Sequence, residues 1–429
     1  MSFTPAAPPT PVELPASRWR DVYIASAARG ISVCGDFLAA TSLVLAVQAA
    51  GGGGFAVSAL LLAAAVPLVV LAPLTGRLAD RVDSRALLIG AGLGQAAVCA
   101  MLAFTHDRVL TVALVAVLAA GLAVTQPVIA ALLPAMVRRA DLPRASALNQ
   151  TAGSLGVLAG PALAGVLVGE FGPRLPRLLA AAGYLAVVVA GLALRTRRGR
   201  RTAPVAVPAD GTLPVAAPSW RLWSDPLLRA LVVSITAVVA AVGAVNVVEV
   251  FFVRTTLHAS TTAYGLITAS WTAGMLVGAW LLARRVAKAR DDAGLVRGVL
   301  LMLGVCCVTV ATSASVAAAG WLFPLWILGG IFNGGMNTFS AVVMGTRVPE
   351  AMRGRAFATL NASVQGAAMF GYLAGGALIG HVPIRPLVAS LGVAGMLVVA
   401  VLTPSVAATA RRERRATPEA RPATVAATA

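Results

Sequence analysis

Twelve stretches of mostly apolar residues, parted by Gly, Pro or charge, constrain this 429-residue chain more than any other feature. They are residues 22–49, 55–74, 86–104, 109–136, 145–168, 176–194, 227–253, 263–283, 294–315, 318–345, 356–380 and 384–403. A bilayer core about 30 Å thick takes roughly 20 helical residues to cross. In lipid each backbone polar group must be satisfied internally, so only helices and closed barrels span it. Barrel strands alternate polar and apolar residues. These runs do not alternate, so the expected fold is an all-α membrane protein with twelve transmembrane helices. Hydrophobic types reach 59% and charged types only 12%. Soluble domains carry about 45–50% and about 25%, so a soluble enzyme of this length is excluded.

The charges are few but lopsided: 34 basic residues face 16 acidic ones, for a net charge of +18. Such an excess suggests either nucleic acid or membrane orientation, since Lys and Arg collect on the cytoplasmic side of a membrane protein. With the N-terminus inside, inner segments hold 28 basic residues and outer segments five: Arg108, Arg174, Arg177, Arg254 and Arg385. Arg29 falls within the first run. The asymmetry places both termini in the cytoplasm of a multi-pass plasma-membrane protein, and no nucleic-acid partner is expected. The single lysine, Lys288, follows Ala287 rather than Gly, so no phosphate-binding G-x-x-x-x-G-K loop exists. Cys34, Cys99, Cys306 and Cys307 show no metal spacing. Gly90-x-Gly92-x-Gly94 lies inside an apolar run and reads as helix packing. No cofactor, metal or enzymatic activity is expected.

Residues 1–20 and 404–429 read as disordered cytoplasmic tails. Residues 195–226 begin Arg-Thr-Arg-Arg-Gly-Arg-Arg, continue with Pro and Ala, and read as a cytoplasmic linker with a basic anchor. The linker divides the chain into six-helix bundles at 21–194 and 227–403. The halves echo one another. Leu78-Ala-Asp-Arg-Val82 matches Leu282-Ala-Arg-Arg-Val286, and Arg144-Ala145 with Leu148-Asn149 matches Arg355-Ala356 with Leu360-Asn361. Glycines of 156–165 match those of 371–380. Two pseudo-symmetric bundles rocking about a central site are a secondary-transporter architecture.

Three local patterns carry mechanism. Gly76-Arg-Leu-Ala-Asp80-Arg81-Val-Asp83-Ser-Arg85 follows the second run. Gly76 allows close helix approach, and Asp80 can meet a positive helix N-terminus. Gly156-x3-Gly160-Pro161-x3-Gly165 makes a tight seam, because small residues four apart let backbones approach. Arg347-Val-Pro349-x3-Arg353-Gly354-Arg355 precedes the eleventh run. The first resembles the G-x-x-x-D-R-x-G-x-R loop of the major facilitator superfamily, with Asp83 for the second Gly. The second resembles that family's antiporter motif, with Ala164 for one Gly, and the third its P-x-x-x-R-G-R inner loop. The resemblance covers about residues 20–403. It implies a gating role for Gly76, Asp80, Arg81 and Arg85, and export in exchange for protons through a seam at Gly156, Gly160, Pro161 and Gly165.

Three charged residues lie more than three positions from either end of a predicted span: Arg29, Asp36 and Glu249. A charge there costs about 2.5–3.5 kcal/mol on insertion scales and usually faces a cavity. Arg29, Ser32 and Asp36 share a helical face, as do Asn246 and Glu249. The candidates for proton coupling are Asp36, then Glu249, with Arg29 as a candidate ion-pair partner of Asp36. Thr125, Gln126, Asn333 and Asn337, with Ser32 and Asn246, are the expected cavity contacts, and Trp271 and Trp280 are candidate stacking groups. The expected activity is proton-coupled efflux of a small amphipathic compound by a monomer working through alternating access. The alternatives are a proton-coupled importer of a metabolite such as a sugar, and a non-transporting scaffold or sensor.

Overall fold

A computed structural model describes residues 16–72, 74–75, 78, 82–196, 222–286 and 292–416. Among them are twelve long helices: α1 Trp19–Ala49, α2 Gly54–Val70, α3 Ser84–Phe104, α4 Arg108–Met136, α5 Leu142–Phe171, α6 Arg174–Ala193, α7 in two pieces (Pro226–Val242 and Val245–Phe251), α8 Thr261–Val286, α9 Asp292–Ser313, α10 Leu322–Arg347, α11 Arg353–Leu378 and α12 Ile384–Ala416. Ten are long and apolar enough on their own to cross a membrane. The exceptions are α2, with 17 residues, and α11, which carries Arg353, Arg355, Asn361 and Gln365. The all-helical, twelve-span expectation holds.

Aspartates start several helices. Asp83 caps α3, its Oδ1 accepting the Arg85 amide at 2.8 Å. The residue that departs from the loop motif is thus a helix N-cap. Asp225 caps α7 ahead of Pro226, a favoured first helical residue. Its second oxygen takes Arg347 Nε at 2.8 Å, and Arg347 also reaches Asp292 at 3.5 Å. This triad ties the starts of α7 and α9 to the end of α10.

Two elements differ from the sequence expectation. The last helix continues to Ala416, so residues 404–416 are helical rather than a tail. Ala and Arg are strong helix formers, and Val406 and Ala410, one turn apart, are buried in the core. The seventh span is interrupted at Gly243–Ala244, where Gly243 lies against Gly371 and Ala368 of α11.

Contacts divide the described residues into two units. Unit 1 draws on the described residues within Met1–Ala40, Val66–Gly160 and Pro173–Ala206; unit 2 on those within Thr41–Ala65, Pro161–Gly172 and Val207–Ala429. The division passes through α1, α2 and α5 rather than only through the linker, most of which lies outside the described residues. Unit 1 has a core of Val22, Leu88, Ile129, Leu132, Met136 and Val187. Unit 2 has two clusters. One is built on Leu227, Leu231, Val299, Leu303 and Val343, the other on Val247, Phe252, Ile267 and Leu322. In unit 2 the end of α1 and start of α2 pack with the C-terminal helices: Gly54 meets Gly376 and Ile379, and the Ser58 hydroxyl donates to Tyr372 O at 2.6 Å.

Three arginines assigned to outer segments have a structural task. Arg177 donates to Leu102 O at 2.8 Å near the end of α3. Arg385 donates to Ala314 O and Val316 O, at 2.9 and 2.8 Å, past the end of α9. Arg254 donates to Ala259 O beyond α7. Helix C-termini leave carbonyls unsatisfied, and cations there also favour the dipole. Arg385→Gln should lower unfolding stability in detergent by about 1.5–3 kcal/mol, the range for a hydrogen bond to a charged group. Denaturant titration of the purified protein measures it, and an unchanged midpoint removes the capping role.

Candidate functional site

Unit 1 buries a file of polar groups between α1, α3 and α6. The Tyr184 hydroxyl donates to Asp36 Oδ1. Tyr184 is fully buried, and Asp36 is half-buried. Two missing side chains bring the helices together: Gly35 lies against Ala180, and Gly183 against Ile31. The Cys99 thiol, fully buried on α3, lies within electrostatic reach of both Asp36 and Arg177. Arg177 stands two turns from Tyr184 on α6 and is only 6% exposed. It lies inside a candidate span, where the sequence reading put it at the outer edge. Gln95, one turn before Cys99, is buried with neither amide atom hydrogen-bonded.

Arg29 does not pair with Asp36. Seven residues separate them, about 10 Å along a helix. The Arg29 side chain instead turns to α5, where a Cβ on Gly153 would lie 2.8 Å from its Nε. That Nε is buried without a hydrogen-bond partner. Ser32 is buried. Thr125 is buried too, its hydroxyl 3.4 Å from Leu122 O within α4, while Gln126 is half-buried.

Unit 2 holds Glu249. Its Oε1 accepts from Thr268 Oγ1 at 3.0 Å and from Trp326 Nε1 at 3.3 Å. Trp326 meets Trp271 edge-on, with ring centroids 6.1 Å apart. One carboxylate and two indoles therefore share a site built from α7, α8 and α10. Trp280 is not part of it: it is exposed, with the Arg284 guanidinium 4.2 Å over its ring. Asn246 turns back to its own backbone, donating to Gly243 O at 3.2 Å across the break in α7. Asn333 and Asn337 pair along α10 at 3.4 Å.

The glycine seam of α5 works in two parts. In unit 1, Cβ atoms on Gly156 and Gly160 would lie 2.5 Å from Gly30 O and from Phe37 Cβ of α1. In unit 2, a Cβ on Gly165 would lie 2.5 Å from Thr261 O of α8, and Pro161 O abuts Gly265. Of the loop residues Gly76, Asp80, Arg81 and Arg85, only Arg85 lies within the described residues. Among the described residues no group of three His, Cys, Asp or Glu could hold a metal.

Sequence reasoning missed Tyr184, Arg177, Thr268 and Trp326. Tyr184 was the most legible, being one of only four tyrosines and set within an apolar run.

A family profile described as the Major Facilitator Superfamily matches residues 25–314 and again 240–428. The chain belongs to this superfamily. Solved facilitator-type structures share its fold. A POT family transporter in complex with 5-aminolevulinic acid aligns with TM-score 0.74 at 11% identity, covering 91% of this chain and 96% of that one. A bacterial homologue of the iron transporter ferroportin, inward-facing, aligns at 0.68 and 16%, covering 91% and 99%. A nucleoside transporter aligns at 0.67 and 13%, covering 91% and 98%. No curated protein matches. The chain is a multi-pass membrane transporter of the facilitator type.

Proposed function

We propose that this facilitator exports a small amphipathic compound, cationic in its polar part, in exchange for protons. One observation carries the reading: Asp36 is an ionisable group inside a span whose hydrogen-bond partner is a neutral hydroxyl, Tyr184, and not a cation. A carboxylate locked in an ion pair is structural. One held by a phenol can gain and lose a proton without leaving an orphaned charge beside it. The glycine contacts of α5 with α1 and α8 support movable, closely packed helices of the antiporter type. The arginine distribution supports cytoplasmic termini in the plasma membrane, and a monomer suffices for the scheme. Alternation follows only if proton and substrate bind the two states with different affinity.

The Glu249 site supports the substrate class. A carboxylate beside two tryptophans suits an organic cation, through charge and through the ring faces. Glu249→Gln should weaken binding of a lipophilic cation by about tenfold, or about 1.4 kcal/mol, and leave a neutral analogue of the same shape unaffected. Equal weakening of both ligands sinks the cation assignment.

The direction is tested with purified protein in liposomes under an imposed pH gradient. A fluorescent lipophilic cation should accumulate against the proton flow in inverted orientation. Accumulation with the proton flow would identify an importer, and transport indifferent to the gradient would remove coupling altogether.

A further inference from the structure

Between α9 and α12 of unit 2 lies a groove of about 510 Å³. Its walls are Leu301, Val305 and Val308 on one side and Met396, Val399 and Ala400 on the other. Gly304 lies between them and adds no side chain to fill the space. One end is different: Arg297 joins the lining there, and on α12 Thr403 and Ala407 continue toward Arg411. Arg411 is one turn past Ala407, exposed, with its Nε 3.3 Å from Ala407 O.

The dimensions have a meaning in a membrane. Arg297 to Val308 is eleven residues, about 16 Å of helix. Half of a bilayer core about 30 Å thick is about 15 Å. The groove is one leaflet deep, on the side where α9 begins and α12 ends. Its apolar length suits an acyl chain, and its charged end sits where a headgroup begins. The nearest acid on α9, Asp292, is engaged by Arg347 and Thr346. Among the described residues no carboxylate pairs with Arg297. The extension of α12 to Ala416 supplies Arg411 on the same side.

We infer that this groove is a binding site for one anionic phospholipid. An acyl chain lies along Gly304 and Ala400, and the phosphate is held between Arg297 and Arg411. Basic pockets between transmembrane helices are a known means of selecting such headgroups. The assignment stands apart from the transport reading, because neither Asp36 nor Glu249 contributes to it.

The test uses the full chain in neutral detergent, with lipid retention followed by native mass spectrometry. Phosphatidylglycerol and phosphatidylcholine of identical chains are compared. Phosphatidylglycerol should bind about fivefold tighter for each arginine engaged. Arg297→Gln should remove about one such factor, and Ala400→Trp should block retention by filling the groove. Both positions are exposed, so the melting temperature without lipid should hold, and the two variants read charge and space separately. Equal retention of the two lipids by the parent protein overturns the proposal. So does an Arg297→Gln protein that keeps the preference, or a dimer that Ala400→Trp dissociates, which would make a second copy the occupant.

Discussion

Asp36→Asn should abolish proton-driven transport while the protein still inserts, folds and binds substrate. The substitution changes little in shape, and the amide oxygen it introduces still accepts from the Tyr184 hydroxyl. Packing around Gly35 and Ala180 is untouched. What is lost is the one titrating atom pair of the unit 1 file that is a carboxylate. Liposomes under an imposed pH gradient should then show accumulation at the level of protein-free vesicles, with counterflow of preloaded substrate retained. Tyr184→Phe is the companion experiment. It removes the donor but leaves the acid, so coupling should persist with a displaced pH profile. A merely structural Tyr184 would lower stability and leave that profile in place. Retained gradient-driven accumulation in Asp36→Asn moves the proton to Glu249 or elsewhere.

The architecture was legible because membrane helices are written in composition and length. Twelve runs of the required length, none alternating, left little choice, and the arginine asymmetry implied an even number. The details that failed depend on contacts across the sequence. The end of α12 was misjudged because Val406 and Ala410 are weak signals until a core is seen beneath them. The break in α7 lies at Gly243, which meets Gly371, a pair 128 residues apart that no local pattern announces. At the site, residue type was a good guide to which groups matter and a poor guide to their partners. Asp36 and Glu249 stood out as isolated charges. Arg29 was the natural partner for Asp36 because both lie on one face of α1. Side-chain direction decided otherwise: Arg29 is drawn to α5 by the space at Gly153, while Asp36 meets a tyrosine from α6. Outer arginines looked like exceptions to an orientation rule until their carbonyl partners were seen.

The glycines give the second large effect, and their surroundings predict opposite outcomes at similar sequence positions. Gly160→Leu should prevent folding or leave an inactive protein. Even the first added carbon would lie 2.5 Å from Phe37 Cβ and 2.9 Å from Cys34 O, and the latter is backbone that cannot rotate away. Overpacking by single methylenes costs about 1–3 kcal/mol, so Gly160→Ala should already lower stability by that amount. Leucine adds three more carbons at the same spot and would force α1 away from α5. Gly94 is the control. It too lies in an apolar helix, in a sequence pattern that reads as packing, yet nothing approaches its Cβ position within 4 Å. Gly94→Ala should be neutral or stabilising by up to about 1 kcal/mol, because it reduces the freedom of the unfolded chain without a clash. Thermal unfolding of the three variants orders them as Gly160→Leu, Gly160→Ala, then Gly94→Ala. If the two alanine variants unfold alike, the close approach of α1 and α5 is not what fixes these helices. Neighbouring Gly92 sharpens the comparison: its Cβ would meet Val188 at 2.9 Å and Tyr184 O at 3.2 Å. A side chain there should therefore disturb the residue that holds Asp36, and Gly92→Ala should alter the pH dependence of transport as well as stability.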